Sequence, residues 1–154
     1  MIREPPRRNS GVVGGNFLAK MKLKHPDGRL VTAADIVIGA TLTLASHTFV
    51  ILDADEATLK YMEQRPTQFP YSDPEAVTQL FADQSKLAWP SNDERRNAID
   101  NASRGGDALE FDAFECILGD LASAAGRDVP KQAAITLWRH TAIGNKLYLR
   151  DLPF

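Results

Sequence analysis

Apolar and polar positions along the chain change period partway through. From Phe17 to Lys24 they alternate, with Lys20, Lys22 and Lys24 on one side and Met21 and Leu23 on the other. That pattern predicts a strand with one wet, basic face. Thr41-Leu42-Thr43-Leu44 alternates again, Ser46-His47 breaks the run, and Thr48-Phe49-Val50-Ile51-Leu52 is β-branched and aromatic, which predicts a hairpin. Asp53 or Asp55 then suits the cap of a helix carrying Ala57, Leu59, Tyr61 and Met62. Beyond residue 72 the period becomes helical. Asp73-Pro74-Glu75 opens a first helix with an apolar stripe of Val77, Leu80, Phe81 and Leu87, ending at Trp89-Pro90. Ser91 or Asn92 starts a second. Phe111, Phe114, Ile117, Leu118 and Leu121 mark a third, stopped near Gly126, and Asp128-Val129-Pro130 caps a fourth through Ile135, Leu137 and Trp138.

Breaker residues divide these elements. Two prolines and three glycines among residues 1–16 predict an extended arm with no regular structure before Asn16. The spacing of Gly11, Gly14 and Gly15 fits no phosphate-binding loop, so a turn is the plainer reading. His25-Pro26-Asp27-Gly28 has turn chemistry, and Thr32 caps a single helical turn before Gly39. Residues 65–72, RPTQFPYS, read as a linker. The expected organisation is therefore α+β: a mixed unit over 1–64, a linker over 65–72 and an all-α region over 73–154.

The 154 residues are enough to bury a core without disulfides, and the single cysteine, Cys116, has no internal partner. No apolar run approaches a membrane span, and the first residues lack the pattern of a secretory signal, so the expectation is a soluble protein of a reducing compartment. The net charge of −2 is uneven: residues 1–50 hold seven Lys or Arg against three acids. A basic front suits nucleic acid, anionic lipid or an acidic protein surface, and equally a merely solvated strand face. His25 and His47 sit at turns, away from any cluster with metal-ligand spacing. Three scattered histidines, a cysteine expected near the core and no paired carboxylates supply no nucleophile and base, so no catalytic residue and no cofactor is expected.

The second half contains a loop followed by apolar residues twice, and both loops resemble the end of an EF-hand loop. With Leu109 and Leu147 at the eighth position, whose side chains pair across two loops, the loops span 102–113 and 140–151. Calcium needs oxygen ligands at loop positions one, three and five and a bidentate carboxylate at twelve. The first loop offers Ala102, Arg104, Gly106 and Ala113; the second offers His140, Ala142, Gly144 and Asp151. One short carboxylate in eight places predicts no useful calcium affinity. Moving the first loop to include Asp100 forfeits Leu109 as the bridge.

The string from Arg3-Glu4-Pro5-Pro6-Arg7-Arg8 through Gly14-Gly15-Asn16-Phe17-Leu18, then Ile38-Gly39-Ala40, His47-Thr48-Phe49 and Asp53 to Glu63, resembles the DM-ten domain. In particular it resembles the last such domain of EF-hand-containing myoclonin-type and flagellar protofilament-ribbon proteins. The degenerate EF-hand pair behind it matches that family's order. The resemblance implies a pleckstrin-homology-like antiparallel sheet closed by a C-terminal helix. The family's domain begins earlier, so this sequence resembles its second half, and a sheet edge before Phe17 is expected to need cover from elsewhere.

The resemblance implies a non-enzymatic structural protein of ciliary or flagellar doublet microtubules. Tubulin and neighbouring axonemal inner proteins would be the partners, with no nucleic acid, membrane or calcium. Arg7, Arg8, Lys20, Lys22 and Lys24 are the candidate contacts to acidic tubulin. The alternatives are an EF-hand-type calcium-responsive regulator and a phosphoinositide-binding pleckstrin-homology-like module.

Overall fold

The computed structural model describes residues 2–4, 14–18, 21–44 and 46–152. It is an α+β structure whose small antiparallel pairs lie mainly in the first third and whose helices follow.

Strand β1 (Ile2–Glu4) pairs with β2 (Gly15–Leu18), with an irregularity between Ile2 and Arg3. Regular structure thus begins earlier than the breaker residues suggest, since the segments on either side of them pair. Residues 21–23 are not in a ladder, contrary to the strand expected over Phe17–Lys24. Lys24 instead bridges Leu30 across a tight turn, in which Gly28 adopts φ +88° and its N–H donates to the His25 carbonyl at 2.9 Å. Alternation fixed an extended backbone there but not a partner.

Strands β3 (Thr41–Leu44) and β4 (His47–Val50) form the hairpin, with Leu42 opposite Phe49 and Thr43 opposite Thr48. One face buries Leu42 and Leu44 against Leu23, Val31, Phe49 and Ile51. Among the described residues β1–β2 and β3–β4 are separate two-stranded pairs rather than one sheet. Helix α1 (Glu56–Glu63) follows, capped by Asp55, whose carboxylate accepts the Thr58 N–H at 2.7 Å. Leu59 and Met62 turn inward, while Tyr61 stays exposed under the Arg65 guanidinium, 3.9 Å from its ring centre.

The stretch 65–72 does not behave as a free linker. It closes a turn at Arg65–Gln68 and a 3-10 turn at Pro70–Ser72, buries Ser72 completely and packs Tyr71 on the main core. Helix α2 (Pro74–Ala88) starts as its sequence predicts, with Asp73 accepting from the Glu75 and Ala76 N–H groups. Helix α3 (Asn92–Ser103) carries a reciprocal Ser91–Glu94 cap. Then come β5 (Ala108–Leu109), α4 (Phe111–Ala124), α5 (Lys131–Thr141), β6 (Leu147–Tyr148) and a 3-10 turn at Leu149–Asp151.

Val77 and Phe81 of α2, Phe114, Leu118 and Leu121 of α4, and Leu137 of α5 form the main core, closed by Leu109 and Leu147. Trp138 packs its edge on Phe111 at 5.4 Å between ring centres. Two residues depart from the expected stripe. Leu87 is 72% exposed, because in the last turn of α2 the inward face is that of Gln84, Ser85 and Ala88, and Leu87 lies outside it. Cys116 is exposed rather than near the core, since it follows Phe114 by two residues and so lies on the opposite side of α4.

Candidate functional site

Of the basic residues singled out, Arg7, Arg8 and Lys20 lie outside the described residues. Lys22 and Lys24 are both exposed, beside the His25–Gly28 turn. That turn is fastened by a compact polar cluster. The Arg29 guanidinium donates to both oxygens of Asp35 at 3.0 and 3.2 Å, and His25 Nε2 lies 3.5 Å from the same carboxylate. Thr32 supplies its N–H and its hydroxyl to Asp35 at 2.7 Å each. These Thr32 donors, ahead of Arg29 and His25, hold the Asp35 carboxyl well below the usual carboxylate range. With its oxygens engaged by the Thr32 N–H, the Thr32 hydroxyl and the Arg29 guanidinium, Asp35 is a structural anchor that presents the two lysines, and His25, whose Nε2 accepts from Arg29 at 3.2 Å, serves the same cluster.

The paired loops lie at the other end of the main core. Leu109 and Leu147 are directly opposite in the β5–β6 register, at 1% and 0% exposure. The structure therefore brings these two residues together. Helix α3 leads into the first loop, ending at Arg104 in the left-handed region (φ +54°), and α4 leads out. Helix α5 leads into the second, and a 3-10 turn follows it. Among the described residues, no three His, Cys, Asp or Glu side chains converge on a point able to hold a metal ion. The side chains at the calcium positions of the first loop offer no carboxylate, and Arg104 adds a positive charge.

A third constellation was not singled out from the sequence. Helix α5 is buried on two sides. Ala133, Ala134 and Leu137 face the core, while Gln132, Thr136 and Arg139, spaced i, i+4 and i+7, face the segment 38–72. Gln132 exchanges main-chain and side-chain bonds with Ile38: its N–H donates to the Ile38 carbonyl at 3.1 Å, and its Oε1 accepts from the Ile38 N–H at 3.5 Å. The Thr136 hydroxyl donates to the Tyr71 carbonyl at 2.8 Å. Arg139 spans two turns of α1, donating to Glu56 at 2.6 and 3.1 Å and to Glu63 at 2.7 Å. Arg139, with help from Lys60, lowers the Glu56 carboxyl to about 2, and Glu56 and Glu63 in turn raise Arg139. The signal in the sequence was the polar i, i+4, i+7 stripe itself.

Residues 1–58 match the DM10 domain. The chain is similar to EF-hand domain-containing family member C2 of Danio rerio, 34% identical over 128 residues, covering 78% of this chain and 17% of that protein. It is similar to the Gallus gallus protein of the same name, 30% identical over 148 residues, covering 90% of this chain and 19% of that one. It is also 39% identical over 84 residues to human EF-hand domain-containing protein 1, covering 51% of this chain and 13% of that protein. The chain thus spans less than a fifth of the length of these relatives. A DM10 segment followed directly by a degenerate pair of EF-hand-like loops is the order seen here, and it matches a DM10-domain, EF-hand-containing protein.

Proposed function

We propose that the chain is a non-enzymatic structural element of ciliary or flagellar doublet microtubules, seated on the luminal tubulin wall beside other inner proteins. The observation that carries this reading is the pair of loops. A lobe built like a calcium switch holds Ala102, Arg104, Gly106 and Ala113 where an ion would need oxygen ligands, and instead uses Leu109 and Leu147 to hold its core shut. Such a lobe suits a fixed scaffold better than a sensor. The DM10 match over residues 1–58 and the exposed Lys22 and Lys24 support the same reading, because ammonium groups beside a turn fastened by hydrogen bonds suit an acidic surface such as that of tubulin.

The test is co-sedimentation of the full chain with assembled microtubules over a salt series, comparing the natural sequence with Lys22→Glu/Lys24→Glu. Contacts made by exposed charges are screened over about 10 Å at 0.1 M salt, so binding should weaken as salt rises and weaken further in the charge-reversed variant. A chain that stays in the supernatant at low salt sinks the proposal. Pelleting indifferent to both salt and reversal removes the lysines from it.

A further inference from the structure

We infer that the ridge Gln132–Thr136–Arg139 is a lock, by which the segment 38–72 fixes α5 and holds the EF-hand-like lobe in one conformation. The argument begins at the start of α5. A helix leaves its first N–H groups without internal partners, and a polar side chain just before the helix normally accepts from them. Pro130 occupies that place and has no side chain able to do so. The Gln132 N–H finds its acceptor in the Ile38 carbonyl, at a sequence separation of 94 residues, so the front segment completes a cap to which Pro130 gives only its carbonyl, accepting the Ala133 N–H at 3.0 Å.

Gly39 makes that approach possible. It sits at φ +94°, and a β-carbon there would meet the Lys131 nitrogen at 3.0 Å and the Lys131 β-carbon at 3.1 Å. Two further residues along the same face, Thr136 bonded to Tyr71 and Arg139 bonded to Glu56 and Glu63, fasten the middle and the end of the helix. Three contacts spread over two turns set both the direction of α5 and its rotation about its own axis.

Helix α5 leads into the second loop. Opening of an EF-hand lobe in a calcium sensor consists of a change of angle between the helix entering a loop and the helix leaving it. In this chain the entering helix cannot swing without parting from Ile38, Tyr71, Glu56 and Glu63 together. The lock therefore makes the segment 38–72 and the lobe a single cooperative unit. This follows from the contacts alone and does not depend on the tubulin reading.

The experiment uses the full chain carrying spin labels at the exposed Cys116 on α4 and at Lys24→Cys on the front turn. The natural ridge should give one narrow distance distribution and one thermal unfolding transition. Arg139→Glu, which sets a carboxylate against Glu56 and Glu63, should lose the narrow peak and split unfolding into two transitions, with Trp138 fluorescence reporting the lobe. Arg139→Glu combined with Glu56→Arg and Glu63→Arg should restore both. Thr136→Val keeps the side-chain volume and removes only the bond to Tyr71, so it should broaden the distribution without unfolding the lobe. The inference fails if Arg139→Glu and Thr136→Val both keep the narrow peak and the single transition. It fails equally if the reversed combination does not recover them.

Discussion

Replacing Leu147 by Ala tests whether the loop bridge closes the main core or merely decorates it. Leu147 is wholly buried and faces Leu109, itself 1% exposed, across strands of only two residues each. Truncation removes three carbon groups, worth about 2.4 kcal/mol in lost transfer from water at about 0.8 per group, before the cavity left behind is counted. With that cavity, a buried Leu→Ala change costs about 2–5 kcal/mol. For a chain of this size each kcal/mol lowers the melting temperature by roughly 2–4 °C, so the expected fall is roughly 4–20 °C. The control is chemically identical: Leu87→Ala, at a site 72% exposed, should change stability by less than about 0.5 kcal/mol. Both are measured by thermal and denaturant unfolding of the full chain. Leu109→Ala combined with Leu147→Ala should cost less than the sum of the two, because the second truncation enlarges a cavity already opened. If Leu147→Ala is no worse than Leu87→Ala, the bridge is not part of the core and the account of the lobe is wrong.

Two further predictions concern the ridge. Glu56 has its carboxyl held at about 2 by Arg139 and Lys60, against an ordinary value of 4.5, so its contribution is complete above that ordinary value and disappears as pH falls through about 2. Denaturant midpoints should therefore drop between about pH 5 and pH 2 in the natural chain and drop less steeply in Arg139→Met; parallel profiles would contradict the pairing. Gly39→Ala should destabilise the chain more than Gly28→Ala. Both glycines lie at positive φ, but a β-carbon at Gly28 meets nothing within 4 Å whereas one at Gly39 strikes Lys131. Equal losses in unfolding free energy would mean that Gly39 is needed for its backbone angle alone.

Much of the helical half was legible because its signals are local. Asp73-Pro74, the alternatives Ser91 and Asn92, and the alternatives Asp53 and Asp55 each name a cap within four residues of the donor it satisfies, and the structure selects Ser91 and Asp55. The Leu109 and Leu147 spacing was legible for the same reason, each residue occupying one place in a short loop. The front third was less legible. Alternation from Lys20 to Lys24 speaks of extended backbone, but the strand that forms, Gly15–Leu18, takes its partner from Ile2–Glu4, and no pattern within either segment names the other. Cys116 and Leu87 failed for a simpler reason. Apolar character was taken to mean burial, whereas the helical position, two residues from Phe114 or in the last turn of α2, decided exposure.

Helix α5 shows where polarity itself misleads. Gln132 and Thr136 are each 2% exposed, yet by composition they read as the wet side of an amphipathic helix. Periodicity separates apolar positions from polar ones; it does not distinguish water from a carbonyl oxygen belonging to a distant segment. What does distinguish them is an accounting of the helix start. Pro130 leaves the first turn of α5 without a local side-chain acceptor, whereas α1, α2 and α3 are served by Asp55, Asp73 and Ser91. A buried N–H has to be satisfied by something, and when the preceding residues cannot do it the acceptor must come from elsewhere in the fold. A start without a side-chain cap does not by itself name a distant acceptor, since α4 begins after Glu110 with none either; at Pro130 the structure supplies one from Ile38. The polar stripe that follows it, at i, i+4 and i+7, marked the face on which that segment would lie.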